Sequence, residues 1–176
     1  MLEVAPGPGY LAVEIAKLGN YQVTGLDISK PMVEIAQNYA IQEETTATFH
    51  QGNASNMPFD DESFDFIVCS AAFKNFSDPV GAIQEMYRVL RPKGKALIAD
   101  LRKDAPNNMI YKYVDNRMIE LRLIDRLFVK YTLIWLKKRA YTKKDIELFV
   151  SKTNFGKCKI VDTSLGIEME IWLNKP

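Results

Sequence analysis

The sequence is poor in cysteine, histidine and long apolar runs, and these shortages exclude several classes of protein. Its two cysteines, Cys69 and Cys158, lie far apart without metal-ligand spacing, which predicts no metal site and two reduced thiols in a cytoplasmic protein. Charged residues or glycines interrupt the longest apolar stretches, so we expect neither a membrane span nor a signal peptide. The net charge is only +1 and no recognition motif is visible, which argues against nucleic-acid binding.

What the chain does contain is a glycine-rich loop, Gly7-Pro8-Gly9, directly after a short apolar strand. Two glycines one residue apart let the main chain approach a ligand closely. A helical pattern from Tyr10 to Leu18 follows, and then a strand from Gln22 to Leu26 ends at Asp27. A carboxylate at the tip of this second strand is placed to accept hydrogen bonds from the hydroxyls of a ribose. The pattern predicts a site for an adenosine-type cofactor.

Two cofactor classes fit this arrangement. The segment 7–12 matches the glycine pattern of a dinucleotide site, in which a helix N-terminus holds a pyrophosphate. Glu3 lies just before the loop, and a carboxylate there repels a pyrophosphate but attracts an ammonium or a sulfonium. Glu3 therefore favours S-adenosylmethionine over a nicotinamide dinucleotide.

Strand and helix patterns alternate along the rest of the chain, which predicts an α/β fold with a parallel sheet covered on both faces. The expected strands are 47–51, 64–70 and 95–101, and the expected helices are 29–39, 78–90 and 142–152. Thr142 and Asp145 have the spacing of a capping box. Two final apolar runs, 157–162 and 168–173, are joined by a turn and predict a closing hairpin.

Five segments resemble, in order, the landmarks of class I S-adenosylmethionine-dependent methyltransferases: 3–9, 25–29, 52–59, 64–68 and 88–95. The resemblance implies a doubly wound, Rossmann-like, mostly parallel sheet of about seven strands that ends in an antiparallel hairpin. It also implies that S-adenosylmethionine is bound by Glu3, Ala5, Pro6, Gly7, Gly9, Asp27, Ile28, Met32, Asn53, Ala54 and Ser70.

Two of these positions depart from the family pattern. Ala5 replaces a glycine, which predicts that its φ stays negative. Asn53 replaces an acid, and its amide oxygen is expected to accept the same hydrogen bond from the adenine amino group.

Between the fifth strand and the last helix, residues 107–139 form a helical insertion of unusual charge. From Arg102 to Lys144 there are 12 basic and 4 acidic residues, a net +8, which leaves −7 for the rest of the chain. This segment, rich in aromatic residues, is expected to form a pocket wall for an anionic or aromatic substrate or to touch an acidic surface. Alternatively, its apolar residues are the buried face of ordinary helices and its lysines a solvated face.

Methyl transfer depends chiefly on holding donor and acceptor close and aligned, so a catalytic base is optional. Weak candidates for a catalytic role are Lys74 and Asn75, just after the fourth strand, and Tyr10 beside the loop; each is equally compatible with an ordinary loop or packing residue. The segment 70–73 lacks the family's signature for methylating nucleic-acid bases, which favours a small-molecule or lipid-like acceptor. The alternatives are a cofactor-binding domain without activity and a nicotinamide-dependent oxidoreductase.

The length of 176 residues and an ordinary composition predict one domain, residues 1–176. Only two residues precede Glu3, so we expect this domain to lack the N-terminal helices that close over the cofactor in this family. A first strand that is short and central leaves apolar surface uncovered, which predicts a homodimer or another compensating contact.

Overall fold

In a computed structural model that describes residues 1–163 and 165–176, strands and helices alternate from the first residues onward. The strands within this part of the chain are β1 (Leu2–Val4), β2 (Thr24–Asp27), β3 (Thr48–Gln51), β4 (Phe64–Ser70), β5 (Leu90–Leu101), β6 (Lys159–Asp162) and β7 (Glu168–Asn174). The helices are α1 (Tyr10–Ala16), α2 (Lys30–Gln42), α3 (Pro79–Val89), α4 (Asn107–Arg117), α5 (Leu123–Arg139) and α6 (Lys143–Ser151), with a short 3-10 turn at Phe73–Asn75.

The strands form a single sheet in the order β3-β2-β1-β4-β5-β7-β6. β1 to β5 are parallel, and β7 runs antiparallel to both β5 and β6. This confirms the predicted mostly parallel, Rossmann-like sheet with a C-terminal antiparallel hairpin. Because β1 lies between β2 and β4, the loops that follow these three strands meet at one edge of the sheet.

Helices cover both faces of the sheet, as predicted. Leu2 and Val4 of β1 belong to a buried cluster that includes residues of α3 and α6, whereas α1 and α2 pack with Phe49 in a second buried cluster. Side chains alternate along a strand, so Glu3 points away from the first cluster. Glu3 therefore lies on the α1 side of the sheet.

Two helix starts agree with their sequence signals. The Asp78 side chain accepts a hydrogen bond from the Gly81 N–H at the start of α3, and Thr142 and Asp145 form the predicted capping box of α6. The expected start of β5 was wrong by five residues, because Leu90 already pairs with Phe64 of β4.

No helix in residues 1–163 or 165–176 has the length and apolarity needed to cross a bilayer.

Candidate functional site

The loop after β1 turns away from the sheet through a series of left-handed residues. The Ala5 N–H still donates to the Leu26 carbonyl of β2 at 2.8 Å, while Ala5, Gly7 and Gly9 have φ of 57°, 55° and 82°. The prediction that Ala5 keeps a negative φ was therefore wrong. Ala5 makes the last hydrogen bond between β1 and β2, and the chain leaves the sheet at this residue. The left-handed conformation of an alanine costs about 1–2 kcal/mol.

The two glycines serve different purposes. A Cβ added at Gly7 would meet no atom within 4 Å, so its missing side chain leaves open space beside the main chain. A Cβ at Gly9 would lie 2.8 Å from both the Ala36 Cβ and the Phe49 ring. Gly7 is thus the position that allows a ligand to approach, and Gly9 allows α1 to pack against α2 and β3.

Asp27 holds the loop from the tip of β2. Its Oδ2 accepts a hydrogen bond from the Gly7 N–H at 3.0 Å, and its Oδ1 accepts one from the Ser29 N–H at 2.8 Å. Each carboxylate oxygen can accept a second hydrogen bond. Asp27 can therefore fix the loop and bind the ribose hydroxyls of a nucleoside at the same time.

Glu3 is a buried carboxylate with an unsatisfied oxygen. Glu3 is only 4% exposed, and its Oε2 has no hydrogen-bond partner among the described residues. Burial raises the pKa of Glu3 to about 7, and a hydrogen bond from the Ala12 main chain partly opposes this rise. A buried carboxylate with an unsatisfied oxygen favours a cation nearby. The ammonium and sulfonium of S-adenosylmethionine fit this requirement, and a pyrophosphate does not.

A cavity of about 100 Å³ opens beside the loop. This is smaller than a pocket for a whole drug-sized ligand, so the cavity suits one part of the cofactor, such as its adenine ring. Five residues singled out from the sequence line it: Ala5, Ile28, Asn53, Ala54 and Asn75. Another wall of the cavity, at the start of α3, was not predicted from the sequence: Phe76, Ser77, Asp78 and Ala82. The helix-start signal at Asp78 could have indicated that wall.

Asn53 uses its amide oxygen within the chain. The oxygen accepts hydrogen bonds from the Ser55 N–H and hydroxyl, both at 3.0 Å. Both acceptor positions of this oxygen are then occupied, and the amide nitrogen is a donor that cannot accept from an amino group. The expected hydrogen bond from the adenine amino group to Asn53 stays a prediction.

The remaining predicted cofactor residues lie around the loop but do not line the cavity. Pro6 packs near Gly25, Met32 is half-buried on α2, and Ser70 is exposed at the end of β4. Tyr10 is exposed and packs edge-to-face on Tyr39 with ring centroids 5.1 Å apart. These positions stay predictions.

Lys74 is held in the interior and is not a free amine. Its Nζ lies 2.9 Å from Asp100 Oδ1 in an ion pair with both side chains buried, and it also donates to the Ala71 carbonyl. The Lys74 N–H donates to the other Asp100 oxygen at 2.9 Å. Asp100, which the sequence analysis did not single out, thus fixes the segment after β4 and brings Asn75 to the cavity.

Comparison with known proteins identifies the family of this chain. Residues 2–98 match the family described as Methyltransferase domain. A demethylmenaquinone methyltransferase of Chlorobaculum parvum is 38% identical over 100 residues, 57% of this chain and 40% of that protein. One from Staphylococcus epidermidis is 37% identical over 128 residues, 70% of this chain and 52% of that protein. The chain thus spans about half the length of the curated relatives it matches.

A crystal structure of a SAM-dependent methyltransferase from Aquifex aeolicus has the same fold. It superposes with a TM-score of 0.72 at 16% identity and covers 99% of this chain and 81% of that one. The family match covers the loop, Asp27 and the cavity, and the unpartnered Glu3 oxygen fits the positive charge of the family's cofactor. This chain therefore belongs to the class I S-adenosylmethionine-dependent methyltransferases.

Proposed function

We propose that this chain transfers a methyl group from S-adenosylmethionine to a small aromatic acceptor. The proposal rests on the combination of open space at Gly7, the two acceptor oxygens of Asp27 and the Glu3 Oε2, which has no partner among the described residues. When bound, the cofactor supplies a sulfonium methyl group that is already activated for displacement. The protein has then only to position the acceptor and exclude water.

Each part of the site has a role in this positioning. Asp27 would bind the ribose, Glu3 would balance the positive charge of the methionine part, and the cavity between Ile28 and Ala82 would enclose the adenine. Because Lys74 is paired with Asp100, its amine is not available as a base. Asn75, which lines the cavity, is the candidate for orienting the acceptor.

The acceptor class is inferred from the relatives and the surface. Two relatives are named for a quinone substrate, demethylmenaquinone, and in the insertion 107–139 the exposed Tyr111 ring has the Lys130 ammonium 5.5 Å from its centre, an aromatic and basic pair suited to such a ring. We further propose that residues 1–176 act as one domain in the cytoplasm, where the unpaired thiols of Cys69 and Cys158 stay reduced. The homodimer expected from the sequence stays a prediction.

The test has two stages. Calorimetry with S-adenosylhomocysteine should detect binding, and Asp27→Asn should weaken it by about 10- to 100-fold because charged hydrogen-bond acceptors are lost. Incubation with methyl-labelled S-adenosylmethionine and a reduced naphthoquinone lacking one ring methyl should then label the acceptor. Binding without label transfer to any aromatic acceptor would favour a cofactor-binding domain without activity. Tighter binding of NADH than of S-adenosylhomocysteine would contradict the proposal altogether.

A further inference from the structure

Helix α5 presents an apolar face that has no cover in the described part of the chain. None of its 17 residues is buried, and six large apolar side chains on it are each more than half exposed: Leu123, Ile124, Leu127, Phe128, Tyr131 and Trp135. Ile124, Phe128, Tyr131 and Trp135, which we call the α5 stripe, are spaced i, i+4, i+7 and i+11. This spacing places them on one side of the helix. Exposed apolar patches of this kind mark interaction sites.

The opposite side of α5 is anchored to the protein. Arg126 and Lys130 form ion pairs with Asp115 of α4, and Leu133 and Ile134 pack on a buried cluster that contains Ile110. The helix is thus held in place by its other side. The α5 stripe is left free to meet a partner.

The charge around the α5 stripe identifies the kind of partner. The insertion 107–139 carries eight basic and three acidic residues, a net +5. Lys138 and Arg139 follow the stripe directly and form no ion pair among the described residues, and the Arg139 guanidinium lies 5.7 Å from the centre of the Trp135 ring. A helix with aromatic and aliphatic residues on one side and basic residues beside them is typical of binding at an anionic membrane surface.

A second copy of this chain fits the α5 stripe less well. A symmetric dimer pairs the same patch with itself, and the α5 stripe contains no acidic side chain to meet Lys138 and Arg139. An anionic bilayer offers the opposite charge and an apolar layer beneath it. Tyr131 and Trp135 have the amphipathic rings that favour the headgroup region.

We infer that α5 docks this protein on an anionic lipid surface, with the α5 stripe at the boundary between headgroups and acyl chains and Lys138 and Arg139 on the phosphates. α4 and α5 follow the carboxyl end of β5, which is the edge of the sheet that carries Gly7 and Asp27. Docking would therefore occur at the end of the sheet that carries the cofactor loop. This inference goes beyond the proposed function and does not depend on it.

The test is sedimentation of the full chain with vesicles, without cofactor or acceptor. The protein should bind vesicles of phosphatidylcholine with about one third phosphatidylglycerol, and should not bind phosphatidylcholine alone. Phe128→Glu with Trp135→Glu should reduce binding at least about tenfold. The matched control is Leu18→Glu with Ile41→Glu, which changes similarly exposed apolar residues elsewhere and should leave binding unchanged.

A second pair of variants tests the charge. Lys138→Glu with Arg139→Glu should weaken binding about tenfold or more, whereas Lys152→Glu with Lys157→Glu, the same change of charge at other exposed sites, should have little effect. In Trp172→Phe, Trp135 is the only tryptophan left, and its emission should shift to the blue on anionic vesicles. This measurement can still be made if Phe128→Glu with Trp135→Glu does not fold.

Three results would overturn the inference. They are absence of binding to anionic vesicles, equal binding to phosphatidylcholine alone, and conversion of a dimer into a monomer by Phe128→Glu with Trp135→Glu. The last result would make the α5 stripe a contact between copies of this chain. A failure of methyl transfer with vesicle binding intact would concern only the proposed function.

Discussion

The two loop glycines should respond differently to the same substitution. Gly7→Ala places a methyl group in the open space beside the loop, so it should cost about 1 kcal/mol of stability but weaken S-adenosylhomocysteine binding about tenfold or more. Gly9→Ala forces a methyl group to within 2.8 Å of Ala36 and Phe49, so it should cost about 3 kcal/mol of stability. Urea denaturation and calorimetry of both variants separate the two effects. Equal losses of affinity and stability in both would contradict this division of roles.

Glu3 should make the stability of the ligand-free protein fall with rising pH. Its pKa is raised from 4.5 to about 7 by burial, so the native state favours the protonated form. The stabilising contribution is complete below the unfolded pKa and is lost as the pH rises through about 7, a change of about 3 kcal/mol. Urea denaturation of wild type and Glu3→Gln at pH 5 and pH 8 measures the difference.

The variant Glu120→Gln, at an exposed position, serves as the control and should follow wild type at both pH values. A wild-type curve parallel to that of Glu3→Gln across the pH range would show that Glu3 does not titrate there.

At the scale of elements, the ion pair of Lys74 and Asp100 links the 3-10 turn after β4 to β5. Lys74→Met should cost about 3–5 kcal/mol, because it leaves the buried Asp100 carboxylate without its cation. The double variant Lys74→Met with Asp100→Asn should recover part of this loss, since no charge is then buried alone and the asparagine oxygen can still accept from the Lys74 N–H. Urea denaturation of the two single variants and the double variant gives the coupling energy. Additive losses would contradict the linkage.

The boundaries of some elements depend only on residues close by in the sequence, and these boundaries were predicted correctly. β4 was predicted at 64–70 and is found there, and the capping box of Thr142 and Asp145 starts α6 as expected. β5 begins earlier than expected. Pro92 and Gly94 are typical of a turn, so the sequence predicted that the strand starts only after them, but Leu90 pairs with Phe64, and that pairing depends on a distant strand. The limit of sequence reasoning here is tertiary pairing.

The same limit applies to the candidate site. Gly7 and Asp27 were identified because their spacing along the chain matches the loop and strand tip that they form. Asp100 was missed because it ends an apolar strand, and only the fold brings it to Lys74, 26 positions away. The positive φ of Ala5 was also missed, since alanine gives no local signal for it.

At the scale of the whole molecule, the site should couple cofactor binding to global stability. A ligand that binds only the native state stabilises it by about 2.7 kcal/mol at a hundredfold excess over its Kd. For a chain of 176 residues this corresponds to a rise in Tm of about 5–10 °C with S-adenosylhomocysteine. At the same ligand concentration Asp27→Asn should lose half of the rise or more, because Asp27 fixes the loop and would bind the ribose. Thermal melting followed by circular dichroism measures the shift, and an equal rise with NADH in place of S-adenosylhomocysteine would show that Glu3 does not exclude a pyrophosphate.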